Sequence, residues 1–145
     1  MTAEQIPAFG VRFKVQIDDV ELGLFTSCEG LGCQVVLEQR QEGGNNGYVW
    51  QLPSRITYST VKLTRPLTKD TEKVARWIAG LANGVRRTTA QITAMTTDGT
   101  TVARWGLLDV VPVRWNGPNV TSGAAGVLTE TIEIAHHGFL DTARS

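Results

Sequence analysis

Apolar and polar residues alternate along the first part of the chain. Val11, Phe13, Val15 and Ile17 fall on one face, and Arg12, Lys14, Gln16 and Asp18 on the other. This period of two is that of a half-buried strand. Asp18-Asp19 reads as a short turn, after which Val20, Leu22 and Leu24 resume the alternation and predict a hairpin. A glycine-punctuated stretch from Ser27 to Gly32 leads to a strand around Val35 to Gln41, and Glu42 to Gly47 reads as a loop. A further strand is predicted over Ile56 to Arg65, ended by Pro66. The period then changes. Val74, Trp77, Ile78 and Leu81 stand at i, i+3, i+4 and i+7, predicting one helix over 69–83 with a core-facing stripe. Thr68 suits its cap, Asp70 and Glu72 the positive end of its dipole, and Gly84 its stop.

Strands return after the helix. Ala90 to Thr97, an Asp98-Gly99 turn and Thr101 to Val111 form a predicted hairpin. The alternation runs on through Pro112 to Val113 and Trp115, which marks an edge or a bulge. Small residues from Thr121 to Gly126 separate this from a last strand in which Leu128, Ile132 and Ile134 alternate with Thr129, Thr131 and Glu133. The pattern predicts a mainly β fold, a β-sandwich or partly closed barrel with one flanking α-helix, in a single domain over 1–145. Such a fold has edges, and these strands lack lysine-rich blocking, so the chain should either close on itself or join edge to edge, with ring assembly the outcome of the second. Tyr48, Val49, Trp50, Leu52 and Pro53 are apolar for a loop tip. Two readings stand: a docking arm for another molecule, or a loop whose Trp50 covers its own core.

Composition narrows the function classes. Hydrophobic residues at 41% and charged residues at 19% place the chain among globular domains. Fourteen basic residues balance fourteen acidic ones, which gives no overall electrostatic footprint of a nucleic-acid or membrane-surface binder and leaves only a local patch for nucleic acid. No apolar run approaches the ~18 residues of a membrane span, and no signal peptide is read, so synthesis in the cytoplasm is expected.

Cys28 and Cys33 lack the second ligand pair a zinc site needs, and read as free thiols, with a strained local disulfide as the alternative. His136 and His137 are adjacent and, if they lie in the strand, point to opposite faces. Glu130 and Glu133 likewise cannot act as a carboxylate pair. No nucleophile elbow, phosphate loop or dinucleotide fingerprint occurs. The chain therefore carries no expected catalytic site, cofactor or metal.

Several segments, taken in order, resemble the phage tail tube protein family of contractile tails and tail-derived extracellular injection systems. They are Phe13 to Asp18, Phe25 to Leu31, Gly43-Gly44-Asn45-Asn46 leading to Leu52-Pro53-Ser54-Arg55, and Val61 to Arg65. Trp77 in the helix, Val111 to Trp115, and Glu130 to Gly138 complete the set, with Ser54 standing where the family often has glycine. The resemblance implies a structural subunit of the inner tube, with six copies to a ring and rings stacked into a hollow conduit. Its implied partners are further copies of itself, a sheath protein, baseplate and tube-terminating proteins, and a cargo of DNA or protein effector. It also implies a subunit that is not embedded in a membrane and is assembled into a tail or injection particle.

Under the same resemblance, the segment Gly43 to Arg55 becomes an arm reaching the neighbouring ring. Its contact residues are Gly43, Gly44, Asn45, Asn46, Tyr48, Trp50, Leu52, Pro53 and Arg55, with Asp18 and Asp19 as further ring contacts. Trp50 and Leu52 would anchor it, and Lys62 and Thr64 would face the lumen. The alternatives are a baseplate-proximal tube initiator of the same fold, and a monomeric ligand-binding β-barrel.

Overall fold

The computed structural model describes residues 10–40, 50–84, 86–117 and 128–140. The predicted alternation becomes strands throughout: β1 (Arg12–Ile17), β2 (Val20–Phe25), β3 (Ser27–Glu29), β4 (Cys33–Arg40), β5 (Trp50–Tyr58) and β6 (Val61–Pro66) precede the helix α1 (Thr71–Gly80). After it come β7 (Thr88–Met95), β8 (Thr101–Asn116), β9 (Thr129–Ala135) and the short β10 (Phe139–Leu140). All pairing is antiparallel, in the order β2-β1-β7-β8-β9-β6-β3, with β10 added against β8. β4 and β5 form a separate two-stranded sheet.

β8 connects the two halves of this body. Its first part pairs with β7 and its second with β9. Between them Asp109 takes φ 53°, and the register shifts between Pro112 and Arg114, so the strand turns a corner where proline is tolerated. The two sheets enclose a core of Val15, Ile17, Leu22, Phe25, Val61, Leu63, Ile92, Leu107, Val110, Ile132 and Ile134, all essentially solvent-free. The helix adds buried Val74, and Trp77 and Ile78 at its margin. The path of strands does not close: β2 and β3 end it, each with one strand neighbour among the described residues. The fold is thus mainly β, partly closed, with one flanking helix.

Three local expectations change. The segment Ile56 to Arg65 is two strands, broken at Ser59-Thr60. The break has a steric partner: a Cβ on Gly30 would sit 2.0 Å from the Thr60 carbonyl oxygen, so the chain there passes directly against another backbone. The helix begins at Thr71 and ends in a 3₁₀ turn, Leu81–Asn83, closed by Gly84 at φ 130°. Asp70, not Thr68, occupies its N-cap position, without a side-chain cap bond. Instead, Thr68 Oγ1 accepts the Asp70 N–H at 3.1 Å, and Thr71 Oγ1 accepts the Thr68 N–H at 3.2 Å. Last, the sticky stretch read as a loop belongs from Trp50 onward to β5.

Candidate assembly surfaces

The body is held by a buried charge. Arg65 continues the inward phase of Val61 and Leu63, and Glu130 that of Ile132 and Ile134, and both are fully buried. Arg65 Nε donates to Glu130 Oε2 at 3.1 Å, and Trp115 Nε1 donates to Oε1 at 3.1 Å. Thr71 Oγ1 donates to Glu130 Oε2, tying in the first turn of α1. Leu22 is the residue skipped in the β1–β2 register, and its carbonyl accepts Arg65 Nη1 at 2.5 Å. The guanidinium lies 4.2 Å over the Phe25 ring. One ion pair therefore joins β2, β6, β8, β9 and α1, in the low-dielectric setting where its partners depend on one another.

The β4–β5 hairpin has the opposite character. Val35 (45% exposed) stands opposite Ile56 (52% exposed), and Leu37 opposite Pro53, so the two strands offer apolar side chains to solvent. Ser54 is skipped where the register shifts between Val36 and Leu37, a bulge on β5 next to a proline that has no N–H to give. Ser54 thus sits at a bulge, the kind of position a glycine fills readily. Cys33 opens β4 exposed, whereas Cys28 on β3 is half-buried and its thiol is pushed up to about 11 by burial, with Glu29 adding to the effect. Both thiols are free.

The root of the hairpin sits on a ring cluster. Tyr58, the last residue of β5, lies 5.3 Å from the His136 ring and 5.7 Å edge-on from Phe139, with His136 and Phe139 5.2 Å apart. His136 is buried and His137 exposed, both in the turn that follows β9 rather than in the strand. His137 Nδ1 instead lies 3.5 Å from Asp109 at the corner of β8.

Outward faces of the body carry polar residues ordered in rows, beside exposed apolar side chains such as Leu24, Val102 and Val113. Cross-strand partners run Arg114–Glu133–Lys62–Glu29 across β8, β9, β6 and β3, alternating in charge. Beside them runs a hydroxyl and amide row, Asn116–Thr131–Thr64–Ser27, with Thr64 and Thr131 bonded at 3.2 Å. On the other sheet, Lys14 and Glu21 pair at 3.6 Å. Among the described residues, no group of three or more His, Cys, Asp or Glu side chains is placed to hold a metal, and no helix is long and apolar enough to cross a membrane.

Of the expected contact residues, Leu52, Pro53 and Arg55 are exposed on β5, opposite Glu38, Leu37 and Val36. Trp50 opens β5 opposite Arg40. Asp18 and Asp19 form the β1–β2 turn, where Asp18 takes φ 52° and its N–H donates to the Thr89 carbonyl at 2.9 Å. Gly43, Gly44, Asn45, Asn46 and Tyr48 lie outside the described residues. Val35, Leu37 and Ile56 are exposed hairpin residues that the pattern alone assigned to ordinary strands. Their exposure follows from the hairpin's separate sheet, which periodicity does not encode.

Comparison with known proteins agrees along the length of the chain. The family model described as T4-like virus tail tube protein gp19 matches residues 10–140. A chain of the extended sheath-tube complex of an extracellular contractile injection system, PVC, superposes with a TM-score of 0.76 at 18% identity, covering 93% of this chain and 89% of the other. A chain of the anti-feeding prophage baseplate, 6-fold symmetrised, gives 0.72 at 18% identity over 97% and 96% of the two chains. A chain of the anti-feeding prophage cap, the tube-terminating cap, gives 0.74 at 18% identity over 97% and 93%. A search of curated proteins finds no match.

Proposed function

The chain belongs to the T4-like virus tail tube protein family, and we propose that it is a tube subunit whose copies form rings of six, stacked through the β4–β5 hairpin into a hollow conduit. The observation that carries this reading is the hairpin itself. Among the described residues its strands pair only with each other, and Val35, Leu37, Leu52 and Ile56 are exposed on them. A two-stranded ribbon in water is marginal alone, and a neighbouring copy supplies the missing cover. The segment from Gly43 to Arg55, with Trp50 and Leu52 as anchors, reaches the next ring; Asp18 and Asp19 contribute at the ring joint. The unpaired outer edges of β2 and β3 meet those of adjacent copies within a ring. Sixfold symmetry is also that of the anti-feeding prophage baseplate.

The two polar rows, one through Lys62 and one through Thr64, face the bore. The alternating charges of the first leave no net excess to grip a polyanion, so DNA or a protein effector passes without adhesion. A sheath, a baseplate and a terminating cap are the partners that match the assemblies in which similar folds occur. The subunit is synthesised in the cytoplasm, joins a tail or injection particle, and acts mechanically rather than as an enzyme.

Negative-stain microscopy of the purified chain tests the reading. Long tubes are expected, and deletion of Asn45 to Trp50 is expected to leave folded protomers that no longer stack. Tubes of normal length from the deletion would refute the arm. A strict monomer at micromolar concentration would refute the tube.

A further inference from the structure

The hairpin root rests on the one buried histidine. His136 is 4% exposed, wedged between Tyr58 at the end of β5 and Phe139 on β10. The Gly138 N–H donates to His136 Nδ1 at 3.2 Å, so the neutral ring carries its proton on Nε2, which is buried without a hydrogen-bond partner among the described residues. Gly138 is itself anchored: its carbonyl accepts the Leu108 N–H at 2.9 Å, and the His137 N–H donates to the Leu108 carbonyl at 2.8 Å. A Cβ on Gly138 would stand 3.3 Å from the Tyr58 hydroxyl, so the turn and the tyrosine are in close register.

We propose that His136 is a proton-operated latch: neutral, it seats the root of the β4–β5 hairpin on the β9–β10 corner, and protonated, it releases that root and weakens the hold of one copy on the next. This rests on the reading of the hairpin as the arm between copies.

The chemistry follows from the ring's single free lone pair. A second proton must enter at Nδ1, which turns the acceptor of the Gly138 N–H into a donor facing a donor. The new N–H has the Gly138 carbonyl at 3.2 Å, an oxygen already shared with Leu108. The charge would also be buried beneath Tyr58 and Phe139, and opening the corner to water relieves both problems. Burial holds the His136 pKa below the ordinary 6.5; the Gly138 backbone opposes it, the neighbouring His137 adds a smaller downward push, and the Ser59 backbone a smaller upward one.

The surrounding charged groups do not compensate. From β8, Asp109 faces His137; from β9, Glu133 lies on the opposite face; from β5, Arg55 stands three residues up the arm. Because the seated ring binds its proton less readily than the free one, the seated state is unaffected above pH 6.5 and loses ground as pH falls below it. The released population grows by up to about tenfold per pH unit there.

Full-length wild type, His136→Asn and His137→Asn are compared between about pH 7.5 and 5.5, either side of the histidine range. The asparagine oxygen keeps an acceptor for Gly138 but cannot titrate. Stack length is read by microscopy, and amide hydrogen exchange in Cys33 to Val36 and Ile56 to Tyr58 is read after correction for intrinsic rates. Wild type and His137→Asn are expected to shorten their stacks and exchange about tenfold faster at the lower pH, and His136→Asn to do neither. An acid response in His136→Asn equal to that of wild type overturns the latch, as does unchanged exchange in wild type. A chain that never stacks at either pH refutes the arm, and the exchange comparison then still decides the latch.

Discussion

The body and the hairpin are built from similar strands, yet they are stabilised in contrasting ways. In the body, each strand buries alternate residues against a facing sheet, and the Arg65–Glu130 pair draws groups from four strands and the helix into one network. In the hairpin, the same alternation places Val35 and Ile56 in water. The body surrounds its ion pair with donors and acceptors, leaving Arg65 Nη2, Thr88 Oγ1 and His136 Nε2 without partners among the described residues, and the hairpin sets apolar side chains in solvent. A tube subunit needs both, a shape that does not depend on neighbours and a surface that does.

The sharpest way to break this contrast is to attack the body. Glu130→Ala leaves a buried guanidinium without its carboxylate and is expected to cost about 3–5 kcal/mol, read by urea denaturation. The double change Arg65→Met with Glu130→Leu should recover most of that loss, since no unpaired charge remains. Retention of full stability by Glu130→Ala would mean that the network holds nothing. Next in size is Gly30→Ala. Gly30 has φ 94° and its Cβ would collide with Thr60, so a loss of about 1–3 kcal/mol from backbone strain, increased by the clash, is expected in the same denaturation assay.

The hairpin should respond in reverse. Ile56→Asp is expected to change protomer stability by no more than about 0.5 kcal/mol, because the site is exposed. Stacking observed by microscopy should nevertheless be abolished. A large stability loss instead would show that the hairpin is covered by its own subunit. The smallest expected effect is chemical. Iodoacetamide should label Cys33 well before Cys28, whose thiolate is disfavoured by burial, as followed by mass spectrometry at mildly alkaline pH. Equal labelling would place the two thiols in equivalent surroundings.

Most of the body was legible in the sequence because its cause is local. Val11 to Ile17, the Asp98-Gly99 turn and the stripe from Val74 to Leu81 each announce their element within a few residues. Pro112 marked the irregularity in β8, which the structure resolves as a bulge. The Arg65–Glu130 pair was also within reach: each residue falls in the apolar phase of its strand, where a charge must find a partner. The division at Ser59-Thr60 was not legible, since neither residue breaks a strand by itself. Its steric counterpart is Gly30, thirty positions away in the chain, and no local window contains both. The extent of β5 was hidden for a related reason: Pro53 and the Ser54 bulge interrupt the alternation that would have revealed it. The hairpin's exposure could not be read at all, because burial depends on which strands meet.

The bent strand β8 has a mechanical consequence. It is the only strand bonded into both sheets of the body among the described residues, pairing with β7 and β10 on one and β9 on the other. Tension applied to either sheet is carried across the corner at Asp109 by continuous backbone rather than by side-chain packing. Force applied lengthwise to this strand would be shared as shear by its ladders with β7, β9 and β10, so that the two layers advance together and neither peels away first.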